Sequence, residues 1–157
     1  MKIKILTYNI FLRPPPVKNN ADDYKNERCK IFLKHIDNFD IICLQEVFGF
    51  LNRRQHKLIC GSMKRGFFHH SSSPDPSFFS SYIVNGGLLT LSRYPIMYEE
   101  FRTFKYGVLS DNLSMKGVLY TKIDISDCWV HLFNTHLQAS YVGSSEEIKA
   151  TVVTRIK

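Results

Sequence analysis

The sequence predicts an α/β (α+β) domain of 157 residues in which short buried strands alternate with amphipathic helices. Three observations lead there. The stretch Ile41-Ile42-Cys43-Leu44-Gln45-Glu46-Val47 is short, nearly all apolar and stops at a carboxylate, as a fully buried strand does. From about residue 20 the period changes, and Tyr24, Arg28, Ile31, Phe32, His35 and Ile36 fall on one helical face. Between residues 116 and 134, two alternating runs flank a polar turn at 124–127, the pattern of a hairpin.

Composition supports one globular domain with a core: 44% of residues are hydrophobic and 22% charged. The net charge of +7 serves solubility or a polyanionic partner, either nucleic acid or an anionic membrane surface. The chain has no run of 18 apolar residues, so no membrane-spanning helix is predicted. Cys29, Cys43, Cys60 and Cys128 lack the spacing of a zinc site or a disulfide framework, and Cys43 reads as a small buried hydrophobe. Reduced thiols and the absence of a leader pattern at Met1-Lys2-Ile3-Lys4 lead us to expect a cytoplasmic or peripheral membrane protein. A secreted chain trimmed of its leader would look the same.

The elements follow in order. Residues 3–8 form a strand ending near Asn9, and Arg13-Pro14-Pro15-Pro16 stops regular structure. Asn20 can cap the first helix, with Asp22 and Asp23 in its first turn. The strand ending at Glu46 comes next, then a second helix over 50–59. A strand at Phe67-Phe68 precedes a long loop, with residues 71–76 as turn material. Phe78, Phe79 and Tyr82 are aromatic for a loop and are expected to pack as a lid, exposure to a partner being the alternative. Asn85-Gly86-Gly87 turns into a strand over 88–92, and another strand covers 96–104. A loop over 105–115 leads to the hairpin, which Thr135-His136 closes. Ser144 or Ser145 caps a last helix that keeps its spacing to the final residue.

Three polar residues share one placement. Asn9, Glu46 and His136 each stand at or just past the C-terminal end of a strand, so neighbouring strands would gather them on one rim. Glu46 is a carboxylate for a hard cation such as Mg2+, which takes oxygen ligands and keeps several waters. Histidine has a reference pKa near neutrality, so His136 is of a type suited to proton transfer. Asn9 offers an amide to orient a metal water or a phosphoryl oxygen. Taken singly, each has a structural reading: a surface carboxylate, the start of a turn, a core histidine. Lys116 is either a solvated strand residue or a phosphate contact. Asp111 and Asn112 are metal or supporting ligands, or simply a turn. His69-His70 lacks ligand spacing, and Glu99-Glu100 reads as a solvated strand face.

These residues lie in segments that resemble a known family. Leu6-Thr7-Tyr8-Asn9-Ile10-Phe11, Leu44-Gln45-Glu46-Val47-Phe48 and Asn134-Thr135-His136-Leu137-Gln138 look like three signature segments of the endonuclease/exonuclease/phosphatase superfamily, in order. Gly86-Gly87-Leu88, Ser92-Arg93-Tyr94-Pro95-Ile96 and Lys116-Gly117-Val118-Leu119 are similar to its intervening blocks. Phe11-Leu12-Arg13-Pro14 and Met115-Lys116-Gly117-Val118-Leu119-Tyr120 are most similar to bacterial-like, magnesium-dependent neutral sphingomyelinases. The resemblance implies a four-layer α/β sandwich with two facing mixed sheets, truncated at the C-terminus. It implies Mg2+-dependent phosphodiester hydrolysis, with Glu46 as metal ligand, Asn9 and His136 as catalytic residues, and Lys116 and Asn134 at the substrate phosphate. The substrate implied is sphingomyelin at a membrane surface, cleaved to ceramide and phosphocholine.

The family's later Asp-x-Asn and Asp-His pairs have no counterpart here, and the Asp-His pair supplies the base for water. Residues 1–157 are therefore expected to be the N-terminal part of the catalytic domain, inactive and poorly stable alone. Three alternatives stand: a metal-dependent nuclease of the same superfamily, a non-catalytic truncated domain, and an inositol phosphate phosphatase.

Overall fold

A computed structural model describes residues 2–14, 17–18, 23–49, 53–105, 107, 112–126, 128–137, 146 and 148–149. In chain order these form β1 (Ile5–Leu12), α1 (Lys25–His35), a short 3-10 turn (Ile36–Asn38), β2 (Ile41–Val47), α2 (Arg53–Met63), β3 (His69–Ser72), β4 (Leu89–Ser92), β5 (Ile96–Thr103), β6 (Gly117–Ile125) and β7 (Cys128–Thr135). The first sheet has the order β1-β2-β4-β3 and the second β5-β6-β7. The first is mixed, with β1 parallel to β2 and the other pairs antiparallel. The second is antiparallel throughout.

Two cores follow from the pleat of β2, which sends successive side chains to opposite faces. Ile42 and Leu44 meet Cys29, Phe32 and Ile36 from the α1 side and Leu58 from α2. Ile41 faces the second sheet and packs with Ile123 and Ile125. All seven residues of β2 are buried. This is why the strand reads as one apolar run, each fully buried aliphatic side chain contributing about 1.5–3 kcal/mol. The fold is thus an α+β sandwich of two facing sheets with helices on the first.

Arg93 staples the end opposite the C-terminal rim of β2. Its Nε donates to the Phe39 carbonyl at 2.8 Å, Nη1 to Arg65 at 2.7 Å and Nη2 to Asp37 at 3.1 Å. The guanidinium also stacks over Phe67, 4.4 Å from its centroid.

The structure shifts several expected elements. The strand expected at Phe67-Phe68 begins instead at His69, and Ser71 and Ser72 are paired residues, not turn. The reason is tertiary: β4 offers Thr90 and Leu89 as antiparallel partners for the two serines, while Phe67 drops into the helix-side core. The second helix covers Arg53–Met63. Phe78 and Phe79 do not pack as a lid; they are 96% and 95% exposed. The cap assigned to Asn20 and most of the helix after Ser144 lie outside the described residues, as does Arg155; Glu146, Ile148 and Lys149 are helical. Among the described residues no helix is long and apolar enough to cross a membrane. The four cysteines are free, Cys29 and Cys43 being buried.

Candidate active site

β1 and β2 run parallel, with Asn9 opposite Gln45, so both strands deliver their last residues to the same rim. Both strands are irregular there. β1 carries an extra residue between Asn9 and Leu12, and Phe11 has φ 55°. Arg28 of α1 holds this bulge, donating from Nε to the Ile10 carbonyl at 3.2 Å and from Nη2 to the Phe11 carbonyl at 2.9 Å. In β2, Glu46 has φ 59°. A left-handed backbone at a non-glycine residue costs about 1–2 kcal/mol, and it concentrates at functional sites.

That conformation breaks the alternation of the strand. Leu44 and Val47 are three residues apart, yet both join the helix-side core. An unbroken pleat would send them to opposite faces. The extra step falls at Glu46, and its carboxylate ends beside Asn9. Glycine fits where the next strand passes: Gly87 has φ +66°, a Cβ there would stand 3.0 Å from the Phe48 ring, and its carbonyl accepts from the Val47 N–H at 2.8 Å.

Glu46 is 4% exposed and fully engaged. Asn9 Nδ2 donates to Oε1 at 3.0 Å, while Asn9 Oδ1 accepts from the Phe11 N–H at 3.1 Å. These two bonds determine which way the amide faces. Arg13 donates from Nε to Oε2 at 2.5 Å and from Nη2 to Oε1 at 3.2 Å. His136 Nε2 stands 3.9 Å from Oε1. Burial pushes the Glu46 pKa up, but hydrogen bonds from Arg13 and Asn9 and the charges of Arg13 and His136 outweigh it, leaving the carboxyl below its ordinary value.

Three of the residues singled out in sequence, Asn9, Glu46 and His136, therefore meet. His136 arrives from the second sheet, whose last strand crosses over β2. Lys116 lies on the same side, its Nζ donating to the Leu137 carbonyl at 3.0 Å. Asn134 lies beneath the site, 2% exposed. It donates from Nδ2 to the carbonyls of Leu44 and Leu89, both at 3.2 Å, and accepts from Gln45 Nε2 at 2.9 Å. Its amide thus ties the second sheet to β2 and β4. Asp111 lies outside the described residues, and Asn112 is exposed. His69 and His70 open β3, whose first residue is level with Ser92 and Ile41 at the opposite end of the sheet. Glu100 pairs with Arg102 on β5.

Sequence reasoning did not assign Arg13 or Gln45 to the site. The signal for Arg13 was the buried carboxylate itself, which needs a cation. Arg13 lies four residues past Asn9, just beyond the end of the neighbouring strand.

The donors fit a hard divalent cation. Glu46 offers two oxygens to a single point that now receives a guanidinium, and Asn9 and His136 flank it. Such an ion is held by one or two carboxylates, waters and substrate phosphate. Among the described residues, no three of His, Cys, Asp and Glu gather at one place.

Comparison with known proteins gives a consistent picture. Residues 6–146 match the Endonuclease/Exonuclease/phosphatase family. The chain is 29% identical to a sphingomyelinase of Dictyostelium discoideum, over 94% of this chain and 53% of that protein. It is 31% identical to sphingomyelinase C of Bacillus cereus, over 87% of this chain and 44% of that one. Among solved structures, sphingomyelinase C from Streptomyces griseocarneus has a TM-score of 0.80 at 23% identity, over 98% of this chain and 55% of that chain. A beta toxin variant from Staphylococcus aureus with bound magnesium ions has a TM-score of 0.78 at 25% identity, over 96% and 55%. The chain spans about half the length of the curated relatives it matches.

Proposed function

The chain belongs to the endonuclease/exonuclease/phosphatase family, and from that membership we propose that it is the Glu46-bearing part of a Mg2+-dependent phosphodiesterase whose substrate is sphingomyelin. The single observation behind this reading is the meeting of Asn9, Glu46 and His136, from three strand ends and two sheets, around one buried carboxylate. Sphingomyelin is suggested by the names of the relatives from Dictyostelium discoideum and Bacillus cereus.

Glu46 would hold the cation. When bound, such an ion neutralises phosphate charge and makes a water more acidic. Asn9 keeps the carboxylate turned toward the rim, because rotating its amide would lose both the bond to Oε1 and the bond from Phe11. In the reaction, a water oxygen would join phosphorus while the water's proton passes to bulk water, and the bond from phosphorus to the ceramide oxygen would break. His136, whose Nε2 stands 3.9 Å from Glu46 Oε1, would give the departing oxygen its proton. Lys116, whose ammonium donates to the Leu137 carbonyl next to His136, would attract the phosphate. Asn134, expected at the substrate phosphate, is 2% exposed with its amide bonded to Gln45, Leu44 and Leu89, so its role here is positioning, through Gln45 and β2.

The residues that would activate the attacking water are not gathered among the described residues, where no further Asp, Glu, Cys or His makes a group of three with Glu46 and His136. The 157-residue chain is therefore expected to bind the cation and turn over poorly. Calorimetric titration with Mg2+ tests this, alongside phosphocholine release from sphingomyelin. The reading expects saturable binding that Glu46→Gln removes without loss of circular-dichroism signal. Binding indifferent to Glu46→Gln would refute the site, and rapid DNA cleavage without phosphocholine release would redirect the substrate to nucleic acid.

A further inference from the structure

Phe78 and Phe79 are the most exposed large hydrophobic side chains described in the molecule, at 96% and 95%. They sit side by side, edge to face, with ring centroids 5.5 Å apart. Their loop is not loosely tethered. The Ser80 N–H bonds the Ser77 carbonyl at 2.9 Å across the pair, and Asn85 Nδ2 clamps the loop root to Asp75 at 2.8 Å.

The topology decides where this loop points. β4 runs antiparallel to both β2 and β3, with Leu89 level with Leu44 and with Ser72. The connection from Ser72 to Leu89 therefore leaves the sheet at the rim where β2 ends in Glu46. Its root touches the site strand directly, through the bond from Val47 to the Gly87 carbonyl. Neighbouring apolar residues stand on the same rim. Ile83 bonds the Leu113 carbonyl at 2.8 Å, and these two are 54% and 47% exposed. Leu137, next to His136, is 53% exposed. Lys105 and Lys116 follow or precede strand ends of this rim, so cations are interleaved with the apolar tips.

We propose that this rim is a docking surface for a phospholipid bilayer, with Phe78 and Phe79 inserting at the headgroup level. The inference rests on the phosphodiesterase reading and specifies how that site would meet a lipid. Exposed aromatic rings favour the membrane interface, where an apolar body can leave water. The interleaved cations match lipid phosphates. A second copy of the chain is the poorer occupant, because the same cations would then face each other in a chain of net charge +7.

The experiment is co-sedimentation of the 157-residue chain with vesicles of phosphatidylcholine and sphingomyelin, with and without phosphatidylserine, in EDTA so that no turnover intervenes. The wild type is expected to partition onto vesicles, more strongly with the anionic lipid. Replacing both Phe78→Ser and Phe79→Ser should weaken partitioning at least about tenfold. Thermal melting should be unchanged, since both rings are already in water, and Phe→Trp at both positions should retain binding. Equal partitioning of the wild type and the double serine variant would overturn the proposal. So would a dimer, seen by sedimentation velocity, that the double variant loses. Glu46→Gln should leave vesicle binding intact. Vesicle binding by a chain that takes up no Mg2+ would sink the catalytic reading and leave the docking surface standing. Hydrolysis of detergent-dispersed sphingomyelin without vesicle binding would do the reverse.

Discussion

Arg13 and Glu46 are joined by two hydrogen bonds, Nε to Oε2 at 2.5 Å and Nη2 to Oε1 at 3.2 Å, with the Glu46 side chain buried and the Arg13 side chain 41% exposed. In the proposed function the arginine fills the place of the cation, and its side chain is partly exposed.

This relationship yields the first prediction. Arg13→Met should destabilise the chain by about 1–3 kcal/mol, because it strips a buried carboxylate of its charged donor. Added Mg2+ should then raise the melting temperature of the variant more than that of the wild type, since the competitor is gone. Melting curves with and without Mg2+ check both. An equal rise in the two proteins would show that Arg13 and the ion do not compete.

The second prediction concerns pH. The folded-state pKa of Glu46 lies below its ordinary value, so the unfolded chain takes up the proton first as pH falls. The stabilisation from this group is complete at neutral pH, above the unfolded value of about 4.3, and fades as pH drops through the lower folded value. The difference in urea midpoint between the wild type and Glu46→Gln should shrink between neutral pH and acid. A difference that widened in acid would mean that the carboxyl is raised instead.

The third prediction tests the link between the sheets. Asn134→Leu removes two donors and one acceptor at a site 2% exposed and should cost about 2–4 kcal/mol in urea unfolding. Gln45→Leu removes the same central bond from the other side. The double variant should cost less than the sum, by roughly 0.5–3 kcal/mol. Strict additivity would mean that the 2.9 Å bond between them contributes nothing of its own.

A fourth prediction lies away from the site. Arg93→Lys keeps the charge but loses the fork that reaches three carbonyls at once. A loss of about 1–3 kcal/mol is expected by chemical denaturation. Mg2+ binding should be unchanged, because Arg93 holds the far end of the sheet.

The one-dimensional pattern determined a good deal. Four apolar residues before Gln45 announce β2, because a strand covered on both faces has no polar side. The hairpin β6–β7 shows in its alternation, and Asn9, Glu46 and His136 are conspicuous as polar residues at the ends of apolar runs. All of these are local, set by period and by the cost of burying charge. Only the tertiary structure decided the rest. Arg13 becomes the partner of Glu46 because β1 and β2 run parallel and a bulge shifts the end of β1. Asn134 turns inward to Gln45, Leu44 and Leu89 because two sheets meet there, which no spacing along the chain records. Ser71 and Ser72 become strand because β4 lies beside them. Phe78 and Phe79 stay in water although composition argues for packing, because their loop is clamped at its root and projects from a rim. For Arg13, Asn134 and the two serines the deciding contact joins residues well separated in sequence, and its energy exists only once the sheets are assembled.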